Sequence, residues 1–192
     1  MESPTLATST RWPELEAERD WLFRQALWRL RDRDAAEDIA QDTWIAAWQA
    51  RSSWNGKGKL RSWLAGILRH KVLDHLRAKY RNGVPAEEEL EPATGLEVFD
   101  DRGIWKEPAA TWGDPSEALE SAAFWVVLET CARVMPESQY RVFVMRELDE
   151  LETKEICQTL EISSENCHVL LHRARMKLRL CLDKKWRKPV AC

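Results

Sequence analysis

Between Arg51 and Asn82 the chain carries nine lysines and arginines against one acid, Asp74, for a local net charge of +8. Two tryptophans stand among them. Lysine and arginine neutralise phosphates while indole faces stack on exposed bases, so this mixture fits single-stranded nucleic acid. Trp54 lies in the polar stretch Ser52-Ser53-Trp54-Asn55-Gly56-Lys57-Gly58-Lys59, where two glycines break a helix. Trp63 begins a basic run that also holds His70 and Arg77. A solvated basic face is the plainer account of the charge alone, and packing beside Leu60 and Ile67 the plainer account of Trp63. A second basic series, Arg173, Arg175, Lys177, Arg179, Lys184, Lys185, Arg187 and Lys188, follows His168 and His172 near the C-terminus.

Helices have to position these groups. Pro13 and the acids Glu14, Glu16 and Glu18 suit a helix start, after which Leu15, Leu22, Ala26 and Leu30 fall on one stripe. Asp34-Ala-Ala-Glu37 has capping-box spacing and predicts a helix to about Ala50. Its Ala36, Ile39, Ala40, Thr43, Trp44 and Ala47 share a face, while Asp38, Gln41 and Asp42 form a separate acidic one. Beyond the glycines, Leu60, Leu64, Leu68, Val72 and Leu76 make an i, i+4 ladder. Farther on, Asp114-Pro115-Ser116-Glu117 starts a helix predicted to run to Met135, with Leu119, Ala122, Trp125 and Val126 as its apolar side. Pro136 opens the next, carrying Tyr140, Phe143, Val144 and Leu148. A short helix at 153–160, the turn Glu161-Ile162-Ser163 and a long helix capped by Ser163 follow, with Cys167, Leu171, Ala174, Leu178 and Leu182 inward. That pair reads as a helix-turn-helix suited to a major groove, or as a plain helical hairpin.

Composition sets the outer bounds. The 192 residues carry a net charge of −3, but residues 11–82 sum to +5, 83–117 to −8 and 118–192 to +1. The expected fold is therefore all-α, with two small helical domains joined by a flexible acidic linker rich in glutamate and proline. The boundaries read as a disordered N-terminus at 1–10, domains at 11–82 and 115–186, the linker at 83–114 and a tail at 187–192. The longest run without a charged residue is eight, so no membrane insertion is expected, and the N-terminus has no secretory pattern. Five cysteines, odd in number and without a Cys-x-x-Cys pair, point to reduced thiols in the cytoplasm. No phosphate loop, nucleophile elbow or catalytic carboxylate pair appears, so no enzyme and no cofactor are expected.

The run Asp34-Ala-Ala-Glu-Asp-Ile-Ala-Gln-Asp-Thr-Trp-Ile-Ala-Ala-Trp48, followed by Leu60-Arg-Ser-Trp-Leu-Ala-Gly-Ile-Leu-Arg-His-Lys-Val-Leu-Asp-His-Leu-Arg77, resembles region 2 of bacterial sigma-70-family factors. Met135-Pro-Glu-Ser-Gln-Tyr-Arg-Val-Phe-Val-Met-Arg-Glu-Leu148 and Leu171-His-Arg-Ala-Arg-Met-Lys-Leu-Arg179 resemble region 4. With no room for other regions, the chain is similar to the extracytoplasmic-function group.

The resemblance implies a factor that binds core RNA polymerase and directs promoter recognition and transcription initiation. It points to Asp38, Gln41, Asp42 and Trp48 as the surface for the β′ clamp helices, where carboxylates suit a basic partner. It points to Trp54, Asn55, Lys57, Lys59, Trp63, His70 and Arg77 for the melted −10 element, with a flipped base held by the loop. Ser163, His168, Val169, His172, Arg173, Arg175 and Lys177 would meet the −35 duplex, with His168, His172 and Arg175 facing the groove. The β flap and an anti-sigma factor are further implied partners, and the linker would thread the polymerase cleft or serve as a solvated spacer. His70 stands where the family usually has asparagine, and Asn166-Cys-His-Val-Leu170 replaces a common Thr-Val-Arg-Ser-Arg. The latter change removes the arginine fork that reads guanine. Two rival readings remain: a polymerase-independent helix-turn-helix regulator, and a thiol or metal sensor using Cys167, His168, His172 and Cys181. Buried structural cysteine is the simpler account of the last set, and no metal site is assigned.

Overall fold

The computed structural model describes residues 12–54, 59–81 and 114–186, and all regular elements among them are helical. Asn55, Lys57, the stretch from Asn82 to Gly113, the first eleven residues and the six-residue tail lie outside the described residues. The chain divides into two units, with the boundary between Val84 and Pro85.

In the first unit, α1 (Trp12–Ala17) and α2 (Arg19–Leu30) replace the single helix expected from Pro13. The chain turns at Glu18, whose carboxylate accepts from Arg61 Nε at 2.8 Å and ties this corner to the helix at Leu60–Arg81. After Leu30 the chain passes through Arg31 in the left-handed region, φ 51°. Asp32, not Asp34, caps α3 (Arg33–Gln49), its side chain accepting from the Ala35 amide at 3.1 Å. Asp32 is extended, as a cap must be, and Asp34 is already inside the first turn.

Helix α3 buries Ala36, Ile39, Ala40, Thr43 and Ala47, mostly small residues that let α2 and the Leu60–Arg81 helix pack against it. Thr43 stays satisfied by donating to the Ile39 carbonyl at 2.7 Å. A 3₁₀ turn (Arg51–Ser53) leads toward α4 (Leu60–Arg81), which buries Leu64, Leu68, Val72, Leu73, Leu76 and Tyr80.

In the second unit, Asp114 caps α5 (Pro115–Glu120) by accepting from Ser116 N at 2.7 Å. The long helix expected here breaks at Ser121, which is extended, and α6 (Ala122–Arg133) starts afresh. That break resets the helical phase. Leu119, Ala122, Trp125 and Val126, expected inward, are exposed, and Phe124, Cys131 and Ala132 are buried instead. Trp125 Nε1 donates to the Leu119 carbonyl at 2.8 Å across the break. Helix α7 (Glu137–Glu147) buries the Arg141 guanidinium against Glu137, with Nε to Oε1 at 2.7 Å. Tyr140 and Val144 are buried as expected, whereas Leu148 is exposed. Then α8 (Thr153–Leu160), a turn with Glu161 at φ 55°, and α9 (Ser164–Lys185) complete a helix-turn-helix. Ser163 caps α9, accepting from the Asn166 amide at 3.1 Å.

The expectation of reduced thiols fails for one pair. Cys131 of α6 and Cys181 of α9 are joined by a disulfide, their Cα atoms 5.7 Å apart. α6 packs on α9, and that packing brings together residues 50 apart in sequence, a separation that leaves no local spacing to read.

Because the α3 seam is closed on both sides, enlarging it should destabilise the first unit. Ala47→Leu, at a position 0% exposed, is expected to cost about 1–3 kcal/mol in urea denaturation; an unchanged midpoint would show the seam to be loose.

Candidate nucleic-acid and partner-protein interfaces

With its small residues turned inward, α3 presents Asp38, Gln41, Asp42, Ile45 and Trp48 along the opposite face, all exposed. The four residues expected there are thus brought together. Ile45 was missed, although it sits at i+3 from Asp42 and is 40% exposed, as is Trp48. Asp42 lies 3.9 Å from Lys71 of α4, an exposed pair of small energetic weight. The aromatic part of this face is held in place by a cationic stack. Arg19 sits 4.2 Å over the Trp44 ring, Trp44 stacks on Trp48 at 5.7 Å, and Arg51 lies 5.2 Å from the Trp48 ring. A shallow cleft of about 460 Å³, lined by Arg19, Ala40, Gln41, Trp44 and Ile45, opens beside the stripe.

On α4, Trp63, His70 and Arg77 recur every seven residues and so share one face, away from the buried leucines. His70 and Arg77 are exposed, as is Lys59 before the helix. Arg77 Nη1 reaches Asp74 at 3.5 Å, so the one acid of this basic run neutralises part of the stripe. Trp54 and Trp63 do not stand apart as independent platforms. Both are half-buried and stack on each other, with centroids 5.9 Å apart and planes at 19°. A base can use only what that pair leaves open.

On α9, His168, Arg175 and Lys177 are exposed, while Val169, His172 and Arg173 are half-buried. Ser163 is exposed but its hydroxyl serves the helix cap. The expected shared face of His168, His172 and Arg175 is only partly realised. Arg175 sits toward α7, where Glu147 accepts from its Nε at 3.1 Å and Nη2 at 2.5 Å, a bond between residues 28 apart. The helical rotation puts Lys177 on the opposite flank. Glu165, in the first turn, was also missed. Its carboxyl is held below the usual range by a backbone hydrogen bond, the Ser163 hydroxyl and the nearby His168. An ionised carboxylate there can accept from cytosine or adenine amino groups.

The set weighed as a thiol or metal sensor is not assembled. Cys181 is bonded to Cys131, and Cys167 is buried beside Cys157, its thiol pushed up to about 11 by burial and by that neighbour. Among the described residues no group of three or more histidine, cysteine or acidic side chains could hold a metal ion.

Burial, and then the charges of Arg173 and Arg175, lower the His172 pKa below its ordinary 6.5. The unfolded chain therefore takes up this proton more readily than the folded one. The stability that His172 contributes is complete above about pH 6.5 and falls as pH drops below it. A urea-midpoint series for the second unit from neutral to mildly acid pH should show that fall, and His172→Gln should flatten it. An unchanged slope in the variant would mean that another group titrates.

The family model Sigma-70 region 2 matches residues 15–82, and Sigma-70 region 4 matches residues 126–178. A probable RNA polymerase sigma factor of Haemophilus influenzae is 35% identical over 175 residues, 90% of this chain and 89% of that protein. The ECF RNA polymerase sigma factor SigW of Bacillus subtilis is 25% identical over 161 residues, 84% of this chain and 82% of its own length. Among solved structures, RpoE of Bartonella quintana in complex with the anti-sigma factor NepR aligns over 88% of this chain and 94% of that one, at 20% identity and a TM-score of 0.42. The two regions follow one another in the family's order across both helical units, and the chain belongs to the sigma-70 family of RNA polymerase sigma factors, in its extracytoplasmic-function class.

Proposed function

We propose that this sigma factor divides its work among three surfaces, each the solvent face of one amphipathic helix. Asp38, Gln41, Asp42, Ile45 and Trp48 of α3 meet the β′ clamp helices of core RNA polymerase. The Trp54–Lys59 stretch, with Asn55 and Lys57, and the Trp63–His70–Arg77 stripe of α4 hold the melted −10 strand. His168, Val169, His172 and Arg173 of α9 read the −35 duplex, flanked by Ser163, Arg175 and Lys177 at the phosphates. The observation that carries this reading is the first unit's charge layout, an acidic and apolar face on α3 beside a basic face on α4.

Each surface contributes at a different step. Carboxylates and an exposed isoleucine–indole pair suit a basic protein partner, and they repel DNA. Basic side chains around stacked indoles gain their full contact only when a base leaves the duplex, so they favour the open promoter over the closed one. The second unit, which needs no melting, anchors the duplex upstream. His172 is half-buried with its Nε2 turned inside, so at most one ring nitrogen is open to a base edge, while Arg175 must exchange Glu147 for phosphate to bind DNA.

The working boundaries are 11–82 and 115–186, with the acidic 83–114 stretch spanning the polymerase cleft and the second unit also meeting the β flap. An anti-sigma factor is a further partner, as for the Bartonella relative. The chain itself carries no catalysis and works in the cytoplasm; no described helix is long and apolar enough to cross a membrane. A polymerase-independent regulator would leave the whole region 2 match, residues 15–82, without a role.

Two experiments test these surfaces. Replacing both Asp38 and Asp42 by lysine should weaken association with core polymerase at least roughly tenfold, the scale of a few lost charge contacts. Circular dichroism should be unchanged, since neither carboxylate enters the core; undiminished association would remove α3 from the interface. For the second unit, His168→Arg should change the sequence preferred in a randomised −35 selection, each altered pair shifting binding by about 1–3 kcal/mol. Lys177→Ala should weaken all sequences alike and reduce the salt slope by about one phosphate. An unaltered preference in His168→Arg would place the reading face elsewhere on α9.

A further inference from the structure

Four cysteines lie among the described residues of the second unit, and they form two pairs that both close on α9. Near its start, Cys167 is buried beside Cys157 of α8. In its last turns, Cys181 is bonded to Cys131 of α6. Every residue assigned to −35 reading beyond the cap, from His168 to Lys177, lies between these two attachments.

The attachments differ in what else supports them. α8 is held through buried Ile156, Thr159 and Leu160 and packs on both α7 and α9. α6, four residues longer, also packs on α9 yet buries no more side chains. It buries only Phe124, Cys131 and Ala132, and leaves Trp125 at 45% and Val126 at 64% exposure. Apart from the bridge, its hold on α9 includes Phe124 set edge-on to Trp186 at 5.3 Å. The bridge also closes the longest loop that the unit's described cysteines could close, and the stabilisation from such a bond grows with loop length. In a cytoplasm whose thiols are kept reduced, a bond of this kind is made and unmade.

We propose that Cys131 and Cys181 are a reversible dithiol–disulfide site, oxidised by peroxides, and that closing it clamps α6 onto α9 and strengthens −35 binding. Cys181 is half-buried and Cys131 is 1% exposed, so the peroxide meets Cys181 first. The Cys181 thiolate attacks one peroxide oxygen, which leaves a sulfenic acid and, after protonation, one water. The Cys131 sulfur then displaces hydroxide from that sulfenic sulfur, forming the S–S bond and a second water. Two thiols are thus oxidised by two electrons and one hydrogen peroxide is reduced to two waters. A small dithiol reverses the step by exchange, becoming a disulfide itself. The pair Cys157–Cys167 is unbonded in the structure, and burial and the neighbouring thiol keep Cys167 protonated, which slows its entry into a disulfide.

The inference rests on α9 as the −35 reader, and the test separates the two. Full-length protein is treated with dithiothreitol or with hydrogen peroxide, alkylated and mapped by peptide mass. All five cysteines should be alkylated after reduction, and Cys157, Cys167 and Cys192 alone after oxidation, with a linked peptide joining 131 and 181. The second unit should melt on the order of 10 °C higher when oxidised. Oxidised protein should bind a −35 duplex roughly threefold to tenfold more tightly, since its reading helix is ordered beforehand. Cys181→Ala should melt and bind DNA identically in both treatments, and Cys131→Ala provides the same check from the other helix. Absence of the linked peptide, a link through Cys192 instead, or equal melting and binding of the two forms would overturn the proposal. If neither form prefers any −35 sequence, the assignment of α9 fails, whereas the linkage and the melting shift still decide whether the clamp exists.

Discussion

The organisation of the first unit depends on how little volume α3 gives its neighbours. Ala36, Ala40, Thr43 and Ala47 let α2 and α4 approach α3 from both sides, and Ile39 is buried with them. A seam of small residues cannot be rotated outward without opening voids that cost several kcal/mol in a unit of this size. The azimuth of α3 is therefore fixed, and so is the direction in which Asp38, Gln41, Asp42, Ile45 and Trp48 point. The same packing orients α4. Its leucine ladder must meet α3 and α2, which turns Trp63, His70 and Arg77 to the other side.

Charge refines these faces without creating them. The pairs Asp42–Lys71 and Arg77–Asp74 are exposed and long, and pairs of that kind contribute little to stability. Their effect is on availability: each lowers the net charge that a partner or a phosphate meets. The Glu147–Arg175 bond is shorter, uses two guanidinium nitrogens, and joins α7 to α9. It makes Arg175 a support of the helix-turn-helix in the free protein; on the proposed reading, base contacts then fall mainly to residues nearer His168. In the first unit the Arg19–Trp44–Trp48–Arg51 stack does comparable work, fixing an exposed indole in one orientation.

Periodicity made much of this legible in the sequence. The inward stripes of α2, α3, α4 and α9 were readable because each is an uninterrupted series at i+3 and i+4 spacing, and Ser163 was recognisable as a cap from its type and place. Where a helix breaks, the reading failed. Ser121 interrupts the expected helix after Glu120, and beyond it Trp125 and Val126 came out on the solvent side. Asp32 and Asp34 are both plausible caps by type, and only the extended backbone at Asp32 decides between them. The remaining differences come from contacts between residues distant in the chain. Cys131 with Cys181, Arg175 with Glu147 and Arg61 with Glu18 are separated by 50, 28 and 43 positions, and no local pattern reports such meetings. Among the site residues, the α3 face was the easiest to find because a single helix carries it, although Ile45 went unnoticed among the charges.

The central claim is that the α3 seam turns one defined face toward the polymerase. Site-specific photo-crosslinking tests it directly. A photoreactive residue placed at Ile45, exposed in the middle of that face, should crosslink to the β′ subunit when the full chain binds core polymerase. The same probe at Gly66 of α4, where nothing lies within 4 Å of an added Cβ, should not. Crosslinking to β′ from Gly66 but not from Ile45 would contradict the account, because the first unit would then meet the polymerase through the face assigned to DNA.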